Sequence, residues 1–179
     1  MARDHNVGVR RETVPVPPIE ENLIRFHAGP VDLGVEYRHL TDDIMAAHTA
    51  TKPDQAALVA AARQSGGNTG IPIDDQGVSV HVFDSQTGLE YLRFDCFSED
   101  PHYHYITPGS HHVGVGFDEA ANGDCLEWTL RAISRQLPAM LRQCGATQLA
   151  EQVDPSAVEA VLGEVATAAR AARSEHAAA

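Results

Sequence analysis

The hydrophobic pattern of the chain switches to a helical period at Asn122-Gly123-Asp124. Before this point, Val78, Val80 and Val82 alternate with other residues, and a period of two indicates a strand with one buried face. After it, apolar residues recur every three or four positions, as in an amphipathic helix: Leu126, Leu130, Ile133, Leu137 and Leu141. Strands and helices therefore occur in separate runs, which predicts an α+β fold with an antiparallel sheet.

The strand pattern extends over much of the chain before Asn122. Residues 31–37 alternate between apolar and polar or small side chains, and two hairpins are predicted between Val78 and Phe117, with turns at Asp84–Gly88 and Thr107–Ser110. We therefore predict an antiparallel β-meander of about four to six strands. Two or three C-terminal helices are expected to pack on one of its faces.

Helix signals lie at four places. Thr41-Asp42-Asp43 is typical of a helix start, residues 53–63 are rich in helix-forming residues, and Asp154-Pro155 begins the last helix. Pro138 is expected to kink or divide the helix that starts near Leu126. Residues 68–77 are predicted to form a loop.

The ends of the chain are expected to lie outside the packed core. Residues 14–18 read Val-Pro-Val-Pro-Pro and favour an extended conformation, so residues 1–18 are predicted to be a flexible N-terminal arm. Residues 19–172 are expected to form one α+β domain, and residues 173–179 to be a frayed C-terminal tail.

Composition narrows the classes of function. Lys and Arg number 13 against 25 Asp and Glu, a formal charge of -12, and so acidic a chain is not expected to bind nucleic acid. Three cysteines without a Cys-x-x-Cys spacing argue against a disulfide framework. No apolar run is long enough to cross a membrane. The protein is therefore expected to be cytoplasmic.

Four of the ten histidines lie between residues 102 and 112. Neutral imidazole binds Zn, Fe and Cu, and a His-x-His spacing puts two rings on one face of a strand. We therefore predict a metal site and possible cofactors Zn, Fe or Cu, with four candidate ligands: His102, His104, His111 and His112. Asp118, Tyr103 and Tyr105 are the candidate catalytic residues beside them.

The faces of this second hairpin depend on its turn. A four-residue turn pairs Ile106 with His111, which puts His102, His104 and His111 on one face with Val113 and Val115. The remaining hairpin candidates would then lie on the other face: Tyr103, Tyr105, His112 and Asp118. A three-residue turn would reverse the parity of the second strand.

Three more candidate ligands lie nearby: Asp95, Cys96 and Glu99. Arg93 and Asp95 form either a polar site or a solvated pair.

Three functions remain open, and the first is preferred. The chain is expected to be a small metal-binding protein, and if it is an enzyme, a metal-dependent hydrolase or oxygenase acting on a small molecule. The alternative is a non-enzymatic binding or assembly module that forms a homodimer through its helices and presents Tyr103 and Tyr105 as a recognition surface. The third is a metal-free, histidine-dependent nuclease-like enzyme. Histidine and tyrosine are also common on half-buried strands that have no site at all.

Overall fold

The computed structural model describes residues 7–13, 16–51, 73–109 and 112–177, and a seven-stranded antiparallel sheet forms its centre. The strands are β1 (Arg10–Glu12), β2 (Ile24–Ala28), β3 (Val31–Thr41), β4 (Asp74–Asp84), β5 (Glu90–Phe97), β6 (His102–Ile106) and β7 (His112–Gly116). Their order across the sheet is β1-β7-β6-β5-β4-β3-β2. The predicted antiparallel meander is confirmed over β2 to β7, which are neighbours in chain order.

The sheet has more strands than expected because it gains one at each edge. Residues 10–12, predicted to lie in a flexible arm, pair with Val113–Val115 of β7. At the other edge, β2 pairs with β3 across the turn at Gly29-Pro30. In addition, β4 begins at Asp74 and pairs along its whole length with β3, so the predicted loop over residues 68–77 ends earlier than expected.

In the part of the chain that the structure describes, five α-helices follow or interrupt the strands: α1 (Asp42–Thr51), α2 (Glu119–Asn122), α3 (Cys125–Gln143), α4 (Thr147–Gln152) and α5 (Pro155–Ala177). A 3₁₀ turn covers Glu20–Asn22. Pro138 lies within α3, which runs unbroken to Gln143, so the expected division is wrong. Helix α5 continues through residues 173–177, where Arg173 pairs with Asp124 at 2.8 Å. The predicted helix over residues 53–63 lies outside the described residues.

Helices α3 and α5 cover one face of the sheet and form the apolar core with it. The apolar stripe of α3 is buried against alternate residues of β4 and β5, including Val80, Leu92 and Phe94. Trp128 lies at the edge of this core and contacts the rings of Phe94 and Phe117. None of the described helices has the length and apolar character that crossing a membrane requires.

The other face of the sheet is also covered, although its residues are polar. Alternation along the strands puts two polar residues on this face from each of four neighbouring strands: Glu36 and Arg38, Ser79 and His81, Arg93 and Asp95, His102 and His104. All of these side chains except His102 are buried. The segment before β2 crosses above them, and the backbone carbonyl group of Val16 accepts hydrogen bonds from Arg38 and Arg93. We call these eight residues the buried polar layer.

Candidate metal centre

Strand register arranges the buried polar layer in two rows across the sheet. In the first row, Ser79 lies opposite Asp95, and Asp95 lies opposite His102. In the second row, His81 lies opposite Arg93, and Arg93 lies opposite His104. Directly opposed residues of an antiparallel pair share a face and approach closely. The two rows therefore bring a carboxylate and two imidazoles together where β5 meets β6.

Asp95 is the centre of this group. Its Oδ2 atom lies 3.1 Å from Nε2 of His104 and 3.5 Å from Nε2 of His102. Its Oδ1 atom accepts a short hydrogen bond from the hydroxyl group of Ser79. One potential ligand atom from each of Asp95, His102 and His104 lies within 4.8 Å of the others. Among the described residues, this is the one set of three or more such groups that meets in this way.

The orientation of His102 is fixed from its Nδ1 side. This atom lies 2.6 Å from the backbone carbonyl oxygen of Asp100. A carbonyl oxygen only accepts, so the hydrogen of a neutral His102 ring is on Nδ1. The Nε2 atom then carries a lone pair, and it is this atom that faces the carboxylate of Asp95. Histidines that bind metals use the same arrangement, with one ring nitrogen donating to a carbonyl group and the other facing the ion.

His104 is buried, with 3% of its surface exposed. Burial lowers the pKa of His104 to about 4, although its hydrogen bond with Asp95 opposes this change. The ring is therefore neutral near pH 7, the state in which imidazole binds a metal. The described residues offer no hydrogen-bond partner to its Nδ1 atom.

The carboxyl group of Asp95 is held in its charged form. Burial alone would raise its pKa, but the hydrogen bond from His104 and the charges of His102 and Arg93 outweigh burial and lower the pKa well below its ordinary value. A buried carboxylate needs such partners because transfer of its charge from water is costly. The site thus contains a charged carboxylate beside a neutral imidazole.

A second set of ion pairs occupies the layer on the side of β3 and β4. Glu90 binds Arg93 through two hydrogen bonds of 2.9 and 2.6 Å, and it lies 2.6 Å from Nδ1 of His81. Burial opposes ionisation of Glu90, yet Arg93 and His81 outweigh it and lower the pKa of Glu90 to about 2. On its other side, the Nε2 atom of His81 lies 3.2 Å from Glu36. These contacts anchor the layer beside the Asp95 group.

A pocket of about 180 Å³ lies against the Asp95 group. Asp95, His102 and His104 all contribute to its wall, together with Arg38 and several apolar side chains: Val16, Leu40, Met45, Ile73 and Phe97. The exposed Asp74 also lines the pocket, so the pocket reaches the protein surface. Its volume is below the range of about 300–1,000 Å³ that is typical for drug-sized ligands. A molecule bound there would be small and would contact the Asp95 group.

The structure separates the residues that the sequence grouped together. Ile106 pairs with His112 instead of His111, so the expected register is wrong by one residue. Val113 and Val115 therefore lie opposite Tyr105 and Tyr103, on the helix-covered face. His112 shares the face of His102 and His104, but it lies beside Ile106 at the turn end of the hairpin and outside the Asp95 group. His111 lies outside the described residues.

The candidate catalytic residues are placed away from the histidines. Tyr103 packs against Trp128 in the core, with 5.2 Å between ring centroids, and Tyr105 lies beside it on the same face. Burial raises the pKa of Tyr105 to about 12. Asp118 accepts a hydrogen bond from the backbone of Ala121 at the start of α2. Of the additional candidates, Asp95 joins the site, whereas Cys96 is buried on the core side and Glu99 is outside the ligand group.

Two further residues of the layer had no functional prediction from the sequence. Glu36 and Arg38 alternate with Val35 and Tyr37, a pattern that equally describes a strand with one face in water. Their burial depends on the segment at residues 16–19, whose backbone binds both side chains. The signal that would have found them is the co-occurrence of charged residues on one face of two predicted strands, at Glu36 and Arg38 and at Arg93 and Asp95.

Comparison with known protein families assigns the chain to one of them. A family model described as "Domain of unknown function (DUF7700)" matches residues 25–169, which is well over half of the 179 residues. The chain belongs to the DUF7700 family. No curated protein and no solved structure matches this DUF7700 chain at a significant level. The matched residues include β3 to β7, all of β2 except Ile24, and the whole Asp95 group, so the candidate site lies within the DUF7700 domain.

Proposed function

We propose that this protein binds one divalent transition-metal ion through Asp95, His102 and His104 and presents it to a small molecule in the adjacent pocket. The observation that carries the proposal is the orientation of His102. Its Nδ1 hydrogen is directed to the carbonyl group of Asp100, so in the neutral ring the lone pair of its Nε2 atom faces the Asp95 carboxylate at 3.5 Å. These two electron-rich positions attract a cation: either a proton on Nε2, which pairs the ring with Asp95, or a metal ion that replaces this proton.

The spacing of the donor atoms suits an ion. Zinc–nitrogen and zinc–oxygen bonds are about 2.0–2.2 Å long, so two ligands of one ion are about 3.0 Å apart at right angles and about 3.4 Å apart at a tetrahedral angle. The distances from Oδ2 of Asp95 to His104 and His102 are 3.1 and 3.5 Å. The ligand atoms of His102 and His104 lie within 4.8 Å of each other, so the two rings would have to move closer together to complete a site. The proton with which Nε2 of His104 donates to Asp95 would also have to move to Nδ1, because a metal needs the lone pair of Nε2. Two imidazoles and one carboxylate are the ligand set of several zinc hydrolases and of non-haem iron oxygenases.

The cationic side chains of the layer leave the position beside Asp95 open. Glu90 and Glu36 face the two ring nitrogens of His81, and Glu90 also binds Arg93. Arg93 is bound on one side by Glu90, and the nearest approach of Arg38 to Asp95 is 3.9 Å, so neither arginine occupies the position between Asp95 and the histidines.

The reaction class follows from the ion. Zinc would polarise a carbonyl group or activate water for hydrolysis, whereas iron or copper would support oxygen chemistry. The chain's own residues have the same roles in each case: Ser79 orients Asp95, the Asp100 carbonyl group orients His102, and the apolar pocket wall limits access of water. Zinc, iron and copper therefore all remain candidates.

Metal binding can be tested directly on protein purified without chelator and with any affinity tag removed. Elemental analysis should find about one transition-metal ion per chain, and titration of the stripped protein with Co²⁺ or Zn²⁺ should give 1:1 binding. Replacing ligands, in Asp95→Asn and His102→Gln, should weaken binding by at least about 100-fold, since even loss of an outer hydrogen-bond partner costs 10- to 100-fold.

A matched control is provided by His39, which pairs with Asp74 at 2.6 Å on the exposed surface. His39→Gln removes a histidine from a carboxylate pair without touching the Asp95 group, and its affinity for Co²⁺ should equal that of the wild type. Binding that is lost equally in His39→Gln, or that persists in both ligand variants, would show that the ion binds elsewhere. Absence of binding to any of Zn²⁺, Co²⁺, Fe²⁺ and Cu²⁺ would refute the proposal.

A metal-free acid–base role is the second candidate, favoured by the 3.1 Å contact between Asp95 and His104. A carboxylate that orients an imidazole is a common arrangement in general base catalysis. This role uses only His104 and gives no function to the Nε2 atom of His102, which faces the same carboxylate oxygen at 3.5 Å, and for that reason the metal proposal is preferred. The homodimeric assembly module and the cytoplasmic location stay predictions.

A further inference from the structure

Arg38, like His104, is a side chain of the pocket wall with a buried polar atom that no described residue binds. Arg38 is buried, with 2% of its surface exposed, and it lines the pocket together with the Asp95 group. Its Nη2 atom donates to the carbonyl oxygens of Val16 and Pro17, at 2.9 and 3.3 Å. Its Nη1 atom is buried and makes no hydrogen bond with any described residue. A buried guanidinium nitrogen in this state leaves two N–H groups unsatisfied, which is costly.

Arg93, the other buried arginine of the layer, has more hydrogen-bond partners than Arg38. Arg93 is bound by Glu90 through two hydrogen bonds of 2.9 and 2.6 Å, and a third goes to the carbonyl oxygen of Val16. Arg38 has only looser contacts with carboxylates, at 3.2 Å to Glu36 and 3.9 Å to Asp95. Arg93 thus has partners on both sides, whereas Arg38, in the pocket wall, keeps a buried Nη1 group that no described residue binds and that a rotation of the side chain would turn toward the pocket.

We propose that Arg38 binds the carboxylate group of a small monocarboxylate ligand that occupies the pocket next to the metal. This inference rests on the metal site proposed above, since Asp95 is shared by both. A carboxylate oxygen is a strong acceptor for the unsatisfied Nη1 group. The apolar side chains of the wall, among them Leu40, Met45 and Phe97, would contact a short hydrocarbon body.

Charge and size favour a monocarboxylate over a phosphate ester. Asp75 and Asp100 also line the pocket and would repel a group with two negative charges more strongly than a group with one. Asp75 is itself held by the backbone N–H groups of Glu99 and Asp100, at 3.0 and 2.9 Å. A volume of about 180 Å³ leaves room for only a short chain or one ring.

The test uses protein loaded with Co²⁺, because the visible spectrum of cobalt reports both metal binding and ligands close to it. Butyrate, butyramide and inorganic phosphate are each titrated into the loaded wild-type protein. Butyrate should bind about 10- to 100-fold more tightly than butyramide, which has the same shape and no charge, since this is the range of one charged hydrogen bond. Phosphate should bind more weakly than butyrate.

Variants then locate the contact. Arg38→Gln should abolish the preference for butyrate over butyramide, and Arg38→Lys, which keeps a cation beside Glu36, should reduce butyrate affinity by about tenfold. The matched control is Arg11→Gln. Arg11 lies 3.6 Å from Asp100 near the same pocket, so its loss changes the local charge without removing the proposed contact. Butyrate affinity should stay unchanged in this variant.

The outcomes separate the two proposals. Normal Co²⁺ binding with equal affinities for butyrate and butyramide would overturn the role of Arg38 and leave the metal site standing, as would full butyrate affinity in Arg38→Lys. Tighter binding of phosphate would overturn the assignment of a monocarboxylate. Failure of Co²⁺ to bind would refute the metal site and the inference that rests on it. A preference for butyrate in the wild type alone does not assign the contact, because a carboxylate also binds Co²⁺ better than an amide does. If Arg38→Gln does not fold, the loss of butyrate affinity in Arg38→Lys, measured against Arg11→Gln, decides between contact with Arg38 and contact with the ion.

Discussion

Ser79 donates a hydrogen bond from its hydroxyl group to the Oδ1 atom of Asp95, across the pair of strands β4 and β5 and with both side chains buried. This bond fixes the rotation of the carboxylate, so that its Oδ2 atom faces His102 and His104. Ser79 does not line the pocket and is not a proposed metal ligand, yet it determines the orientation of Asp95, the central ligand.

The first prediction follows from this bond. Ser79→Ala should weaken Zn²⁺ or Co²⁺ binding by about tenfold. Loss of a residue that forms a hydrogen bond with a metal ligand typically lowers metal affinity 10- to 100-fold. Isothermal titration of the stripped protein measures the change. Ser85→Ala is the control, since Ser85 donates to the carbonyl oxygen of Gly29 on the exposed surface. Equal affinities of Ser79→Ala and wild type would mean that Asp95 does not need this bond.

The second prediction concerns the anchoring ion pairs. His81 is fully buried between Glu90, at 2.6 Å, and Glu36, at 3.2 Å. His81→Ala would leave two buried carboxylates without this partner, and loss of one member of a buried ion pair costs about 3–5 kcal/mol. His39→Ala removes an equally short contact with Asp74, but those side chains are 52% and 77% exposed, so its cost should be below about 1 kcal/mol. Urea denaturation of both variants tests the difference, and similar losses would contradict it.

The alternation of the strands was enough to predict the antiparallel sheet and the helices on one face. Val78, Val80 and Val82 mark the buried side of β4, and the stripe from Leu126 to Leu141 marks the side of α3 that covers it. Periodicity could not reveal the burial of the polar side. Glu36 and Arg38 look like residues on a solvated face until the segment near Val16 crosses above them, and that contact is between parts of the chain about 20 residues apart.

The candidate site was predicted in part, for a related reason. His102 and His104 were found because both lie on one strand at a spacing of two. The third member, Asp95, lies on a neighbouring strand and was only one of several nearby acidic or thiol residues. Which of them meets the histidines depends on the register between β5 and β6, and no local pattern determines that register. The same uncertainty explains the shift by one residue at Ile106, where the turn length was the deciding variable.

The third prediction uses two glycines whose surroundings differ. A Cβ atom at Gly77 would lie 2.4 Å from the backbone oxygen of Cys96, across the pair of β4 and β5. Gly77→Ala should therefore destabilise the protein by about 3 kcal/mol, because the backbone of a packed strand would have to move. At Gly163 in α5, no atom lies within 4 Å of the added Cβ atom, so Gly163→Ala should stabilise the protein by about 0.5–1 kcal/mol. Thermal unfolding of the two variants should shift in opposite directions; a stable Gly77→Ala would show that the sheet tolerates wider spacing there.

The fourth prediction concerns acid. The pKa of Glu90 falls from its ordinary value of 4.5 to about 2 in the folded protein, because Arg93 and His81 outweigh the opposing effect of burial. The unfolded chain therefore takes up a proton at Glu90 before the folded protein does. Its contribution to stability is complete above pH 4.5 and is lost as the pH falls from 4.5 towards 2. At 1.36 kcal/mol for each pKa unit, that contribution is about 3 kcal/mol.

Comparison of wild type with Glu90→Gln isolates this effect from the other carboxylates. The difference in unfolding free energy should be largest near pH 7 and should shrink steadily below pH 4.5; fluorescence of Trp128, the only tryptophan of the chain, reports unfolding. Glu127→Gln is the control: its hydrogen bond with Arg170 also lowers the pKa of Glu127, but its side chain is 43% exposed, so solvent screening should leave only a small change with pH. A difference for Glu90→Gln that stays constant between pH 7 and pH 3 would mean that Glu90 is not stabilised by its charge, and the ionic anchoring of the layer would need another explanation.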